Sequence, residues 1–167
     1  MGIMNIKFLV CLEEAWIVVA NIALVLAGGI GSRIGFSLPK QFIKVLGKPI
    51  MIYTLEVYEK NPVIDEIVLI CVKSHIDIAQ EYCEKYSINK IRAIISGGDS
   101  FLASCINGMK YMKNYSSNDD IVIVTSADRP FTSHAEIDDS ILCCQKYGSG
   151  VAARKCALCM FDVSDDR

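Results

Sequence analysis

The chain has 167 residues, 52% of them apolar, enough to bury a sizeable core within one compact domain. Its formal net charge of −2 argues against nucleic acid as the main partner, so any phosphate affinity must come from local backbone donors and a few placed cations. No repeat, low-complexity tract or interdomain linker divides it.

The first twenty residues carry Lys7 ahead of an apolar segment, as in a signal peptide, but Glu13 and Glu14 interrupt it. The apolar run over 15–27 is too short to span a membrane and continues into glycines without a small-residue cleavage pattern. Neither reading fits residues 1–20, and their pattern assigns them no other role. Residues 22–27 have the continuous apolar character of a strand buried on both faces. They open into Gly28, Gly29, Gly31 and Gly35, where missing side chains let backbone N–H groups close around an anion. Arg33 and Lys40 follow, with Pro39 stiffening the approach to the lysine. Backbone donors plus fixed positive charge after a buried strand make a polyphosphate site, and the chemistry they support is nucleotidyl transfer. A P-loop would need a Lys-Ser or Lys-Thr pair closing Gly-x-x-x-x-Gly, and no such arrangement occurs here. A dinucleotide fingerprint would need a small residue where Ile34 stands, and an acidic residue at the end of a second strand. Glu56 lies near that distance but within a helical pattern.

Beyond the loop the pattern alternates. Residues 50–60 read as a helix with Ile50, Tyr53, Leu55 and Val57 apolar, and 67–72 as a buried strand. An amphipathic helix is expected over 76–86 and a short strand over 91–95. Phe101, Cys105, Met109 and Met112 mark a helix face. Residues 121–125 form a further strand, 135–147 a further helix, and a fifth strand is expected from Val151 onward. The eight cysteines look like a disulfide or metal framework, yet Cys71, Cys105 and Cys143 fall within apolar patterns and read as small core residues. The pair Cys156 and Cys159 lacks a second pair or a nearby histidine, so buried thiols in a reducing cytoplasm are the expectation.

Strand and helix alternating at this spacing imply an α/β fold: a mostly parallel, doubly wound, Rossmann-like sheet with helices on both faces. Ligands of such sheets sit at the carboxyl ends of the strands. That rule brings three segments to one edge: the glycine loop, Gly97-Gly98-Asp99-Ser100, and Ser126-Ala127-Asp128-Arg129. Each has an ordinary reading as turn, helix cap or surface loop. Their shared placement favours a site.

The segment Ala27 to Gly35, followed by Leu38-Pro39-Lys40-Gln41-Phe42, resembles the signature of the cytidylyltransferases that activate polyol phosphates. Further matches follow in order: Gly47-Lys48-Pro49-Ile50, residues 64–68, Gly97-Gly98-Asp99, Ser104, Asn107-Gly108 and Arg129-Pro130-Phe131. The resemblance implies a nucleotidyltransferase domain over 21–167 that transfers CMP from CTP to a polyol phosphate and releases pyrophosphate. It implies that Ala27, Gly28, Gly29 and Gly31 wrap the CTP phosphates and ribose, and that Arg33 and Lys40 contact the triphosphate as catalytic cations. Gly98, Asp99 and Ser104 match the cytosine-recognising positions, and Arg129 falls to the polyol phosphate. Mg²⁺ is the implied cofactor, a homodimer the implied assembly, and the cytoplasm the implied location. The acceptor reads first as 2-C-methyl-D-erythritol 4-phosphate and second as ribitol 5-phosphate. Sugar-phosphate enzymes using UTP, GTP or TTP share a similar glycine loop but commonly carry a longer pattern before Pro-Lys.

Two positions and the chain's length depart from the family. The aspartate that holds the metal is replaced by Ser126, with Asp128 two residues on and on the same face of an extended segment. An arginine is replaced by Phe101, expected to pack. The chain also stops at Arg167, short of where family members end, so the domain is expected to be incomplete at its C-terminus. The alternative this raises is a catalytically silent CTP-binding module.

Overall fold

A strand built from Ile, Ala, Leu and Val is stable only if its backbone is paired on both edges and its faces are covered. Asn21–Ala27 (β1) meets both conditions in the computed structural model, which describes residues 11–12, 15–16, 19–29 and 39–153. It pairs in parallel with Glu66–Cys71 (β2) on one side and Ile121–Ser126 (β4) on the other, with Leu24 opposite both Val68 and Val124. Ile91–Ser96 (β3) extends the sheet beyond β2, again in parallel. The order is β3-β2-β1-β4, so the chain runs outward from β1 in one direction and then returns to its other side. Among the described residues all pairing in this sheet is parallel, as the alternation implied. The expected fifth strand does not begin at Val151: residues 151–153 have no regular structure, and its remainder lies outside the described residues.

The alternation of side chains along β1 and β2 divides the interior into two layers. Ala23, Val25 and Ala27, with Ile67, Leu69 and Cys71, face the helices Ile50–Lys60 (α1), Ile76–Lys85 (α2) and His134–Tyr147 (α4). Ile22, Leu24 and Leu26, with Val68 and Ile70, face Phe101–Met112 (α3). Helices thus cover both faces, three on one and, among the described residues, one on the other. On the α3 side Val124 of β4 remains 40% exposed.

Helix ends follow local chemistry. Ser100 caps α3 by accepting from the Ala103 N–H at 3.0 Å. Ser133 and Glu136 form a reciprocal capping box at the start of α4, and Gly148 closes that helix in the left-handed region at φ 81°. The inward stripes differ from the expected ones. In α1 the buried residues are Met51, Ile52, Thr54, Leu55 and Tyr58, while Ile50, Tyr53 and Val57 lie at its margin. In α3 they are Ser104, Cys105, Gly108 and Met112, whereas Phe101 and Met109 face out. The cause is close packing, since a Cβ on Gly108 would sit 2.5 Å from Leu24 Cδ1. The smallest side chains, not the largest, let α3 approach the sheet.

Cys71, Cys83 and Cys105 are buried thiols, matching the core reading, while Cys143 is half-buried. Burial pushes the Cys71 thiol up to about 11 and Cys83 up to about 12, so both stay protonated. The Cys156 and Cys159 pair lies outside the described residues. No helix among the described residues is long and apolar enough to cross a membrane.

A two-residue hairpin, Lys44–Val45 with Lys48–Pro49, precedes α1. It is tied down by Tyr53 Oη donating to the Val45 carbonyl at 2.9 Å and by Lys48 pairing with Glu56 at 2.7 Å. Its turn places Leu46 at φ 51° and Gly47 at φ 81°, a conformation that glycine and asparagine accept and leucine does not. Leu46 is 96% exposed, so no packing offsets the strain. Leu46→Asn is therefore expected to raise stability by about 0.5–1 kcal/mol in urea denaturation. An unchanged or lower midpoint would show that the leucine is not strained there.

Candidate active site at the carboxyl edge of the sheet

Parallel strands end together, and their polar loops can emerge only where the apolar runs stop. The loops after β1, β2, β3 and β4 accordingly surround one open cavity of about 740 Å³. Gly28 and Gly29 line it from β1, Gly97 to Ser100 from β3, and Ser126 from β4. The three segments brought together by the strand-end rule are thus neighbours. A Cβ on Gly28 would stand 3.3 Å from Ser104 Oγ, which measures how closely the first loop meets α3.

Lys40 reaches this cavity because of the residues around it. The Phe42 N–H donates to the Pro39 carbonyl at 2.9 Å, closing the short 3-10 turn Lys40–Phe42. Gln41 and Phe42 are buried in that turn, so Lys40 is left two-thirds buried with its ammonium at the cavity wall. Phe42 stacks near His75 and Tyr82, at centroid distances of 5.0 and 6.4 Å. The Pro-Lys-Gln-Phe motif is therefore one lysine held by two buried anchors. The Gln41 amide nitrogen packs against Gly29, where a Cβ would approach it to 3.2 Å.

The Lys40 ammonium pairs with Asp128 Oδ2, and the Ser126 hydroxyl donates to Asp128 Oδ1. Burial alone would raise the Asp128 carboxyl, but the hydrogen bonds from Lys40 and Ser126 outweigh it and hold the group below the ordinary carboxylate value. The backbone beneath is fixed from two sides. The Ala127 N–H donates to the Leu26 carbonyl at 2.9 Å, and the fully buried Thr54 hydroxyl donates to the Ala127 carbonyl at 2.9 Å. Ser126 and Asp128 do meet on one side of the chain, as expected for positions two apart.

On the opposite wall, Ser104 is 4% exposed and its hydroxyl accepts from the Gly98 N–H at 3.1 Å. The Gly97 N–H donates to the Cys71 carbonyl at 2.8 Å. Ser104 is thus committed to shaping the Gly97-Gly98 loop, with Asp99 exposed beside it. Phe101, expected to pack, instead stands 66% exposed at the cavity rim, because it opens α3 where the helix leaves the core.

The other expected residues divide. Ala27 is fully buried in β1 and does not itself line the cavity. Arg129 is exposed and also lies off the lining. Gly31 and Arg33 fall outside the described residues. Val72 and Lys73 line the wall after β2 and were not singled out from the sequence. The same strand-end rule, applied to the second strand, would have found them. For Mg²⁺ the fit is poor at the expected position. No group of three or more His, Cys, Asp or Glu among the described residues could hold a metal ion, and both Asp128 oxygens already have protein partners.

Gly98 is the tightest point of the loop: a Cβ there would stand 2.6 Å from Ala103 Cβ and 3.1 Å from the Ala103 carbonyl carbon. Gly98→Ala must push the loop off the first turn of α3 and break its bond to Ser104. A loss of about 1–3 kcal/mol is expected in denaturant unfolding. Gly47→Ala, a control with open space around it, should show only left-handed strain. Equal stability of Gly98→Ala and the parent chain would mean the loop is not so packed.

Residues 21–163 match the family model for 2-C-methyl-D-erythritol 4-phosphate cytidylyltransferase (IspD). The ribitol-5-phosphate cytidylyltransferase of Lacticaseibacillus paracasei is 38% identical over 131 residues, covering 78% of this chain and 56% of that protein. The 2-C-methyl-D-erythritol 4-phosphate cytidylyltransferase of Clostridium acetobutylicum is 40% identical over 129 residues, covering 77% and 55%. This chain therefore spans just over half the length of these relatives. The crystal structure of 4-diphosphocytidyl-2C-methyl-D-erythritol synthase from Anaerococcus prevotii superposes with a TM-score of 0.61 at 26% identity, over 77% of this chain and 52% of that one. A second structure of a synthase so described reaches a TM-score of 0.70 at 19% identity, over 89% and 65%, and bears on the fold alone. With the family model matched over most of its length and the parallel sheet shared, the chain belongs to the 2-C-methyl-D-erythritol 4-phosphate cytidylyltransferase family.

Proposed function

We propose that this chain carries the CTP-binding part of a cytidylyltransferase that moves CMP from CTP to a polyol phosphate and releases pyrophosphate. The observation that carries the proposal is the meeting of Gly28, Gly29, Lys40, the Gly97 to Ser100 loop and Ser104 of α3 around one cavity. The triphosphate takes the glycine and Lys40 wall, where a cation meets charge developing at the α-phosphorus. Arg33 adds a second cation from the same loop. Such transfer needs positioning and electrostatic stabilisation more than covalent participation. The base takes the Gly98, Asp99 and Ser104 wall, where backbone groups and a carboxylate suit the mixed donor and acceptor edge of cytosine. Arg129 is assigned to the polyol phosphate. Mg²⁺ would come with CTP and neutralise phosphate charge, since an ion that dehydrates reluctantly needs few protein ligands.

The acceptor is proposed as 2-C-methyl-D-erythritol 4-phosphate, placing the chain in isoprenoid precursor synthesis, with ribitol 5-phosphate second. Relatives carry both names. A cytoplasmic homodimer belongs to the same proposal and rests on the family likeness. A second reading, a CTP-binding module without turnover, is favoured by Ser126 standing where the resemblance implies a metal-holding aspartate.

The test is nucleotide binding followed by turnover. CTP should raise the melting temperature more than UTP or GTP does. Ser104→Ala should weaken CTP binding about fivefold and narrow the preference over UTP, through a lost loop hydrogen bond worth about 1 kcal/mol. Lys40→Ala should abolish pyrophosphate release while leaving the melting temperature nearly unchanged, since a partly exposed ion pair adds little stability. Preference for UTP or GTP overturns the proposal, and CTP binding without pyrophosphate release from either acceptor selects the silent module.

A further inference from the structure

We propose that Asp128 is a positioning residue for Lys40, holding its ammonium at the cavity wall through one of three donors, and does not take a metal ion. The inference deepens the proposed CTP site and rests on that reading for the identity of the anion. Its basis is placement. Lys40 and Ser126 line the cavity, whereas Asp128, which touches both, does not. A cation bridging phosphates inside the cavity would meet Ser126 and Lys40 before it met the carboxylate.

The bonding points the same way. Asp128 Oδ2 accepts from Lys40 and Oδ1 from Ser126, so a metal at either oxygen would crowd an ammonium or displace a hydroxyl. The ammonium has three donors and the carboxylate uses one, which leaves two for phosphate oxygens. A lysine is a point charge on a flexible four-carbon stem, and a fixed carboxylate partner supplies the orientation that the stem lacks. That partner is itself rigid, because Thr54 and Leu26 clamp Ala127 between Ser126 and Asp128. The usual metal-holding aspartate of the family is Ser126 here, and its hydroxyl serves the same arrangement by orienting Asp128.

The experiment uses the whole chain and compares the parent with Asp128→Asn and Asp128→Glu. Lys40 reactivity is read by competitive acetylation with mass spectrometry, against the exposed Lys44 as internal standard. Inorganic tripolyphosphate and CTP are titrated separately, each across a Mg²⁺ series. In Asp128→Asn, Lys40 should acetylate about threefold faster, because a flexible stem released from its carboxylate partner is more open to the reagent. Tripolyphosphate and CTP should each bind about three- to tenfold more weakly at saturating Mg²⁺. The Mg²⁺ concentration for half-maximal binding should stay within about twofold. Asp128→Glu should recover part of the protection. Unchanged Lys40 reactivity overturns the proposal, as does faster acetylation with unaltered anion binding, which would mark a merely structural pair. A rise of about tenfold or more in the Mg²⁺ midpoint overturns it in favour of a metal ligand. If tripolyphosphate protects Lys40 while CTP does not bind, the nucleotide reading fails and the positioning role stands. If neither anion protects Lys40, both fail.

Discussion

β1 is hydrogen-bonded on both edges and buried on both faces, and every other feature of the molecule is arranged around that constraint. A strand so enclosed cannot carry function along its length, because any polar side chain there would be buried without a partner. Its chemistry must start where it ends. Since β2, β3 and β4 run parallel to it, their loops end at the same edge, and the cavity is the space those loops enclose. The return of the chain from β3 to β4, on the far side of β1, sets the β1 and β4 loops side by side. Ligands of doubly wound sheets favour such a reversal. Lys40 and Ser126 meet Asp128 there.

Loop shape is held by a small number of buried polar contacts. Thr54 reaches from α1 to the backbone after β4, and Ser104 reaches from α3 to the backbone after β3. Each is nearly or fully buried, and each has its hydroxyl committed to a neighbouring loop. Removing such a hydroxyl leaves the Ala127 carbonyl or the Gly98 N–H without its partner, a larger penalty than the net value of an exposed hydrogen bond. The site is thus built on the helices at one remove. The helices bury apolar stripes against the sheet and lend single hydroxyls to the loops between.

The two faces of the sheet are unequally covered among the described residues. Three helices close over Ala23, Val25 and Ala27, and α3 alone packs on Ile22, Leu24 and Leu26. Leu102, Ile106 and Met109 remain exposed along α3, beside the half-uncovered Val124.

Sequence alone determined the order of strands and helices. An apolar run long enough to be buried must pair on both sides, and a parallel crossover needs a helix. Element limits agreed to within a residue or so over 21–147, and the strand-end rule brought three distant loops to one cavity. Gly28, Gly29, Lys40 and Gly98 were legible because glycines and cations after a buried strand have few other uses, whereas Ser104 came only through the family resemblance. What the sequence could not decide was which side chain meets which. The α3 stripe turned on the contact of Gly108 with Leu24, and a hydrophobic pattern records no such close approach. Lys73 falls under the same strand-end rule, but it stands without the glycines that marked the loops after β1 and β3. For Asp128, spacing showed only that its side chain shares a face with that of Ser126. Only the folded chain brings Lys40 across 88 positions to that carboxylate, and a charge's partner is a property of distance in space.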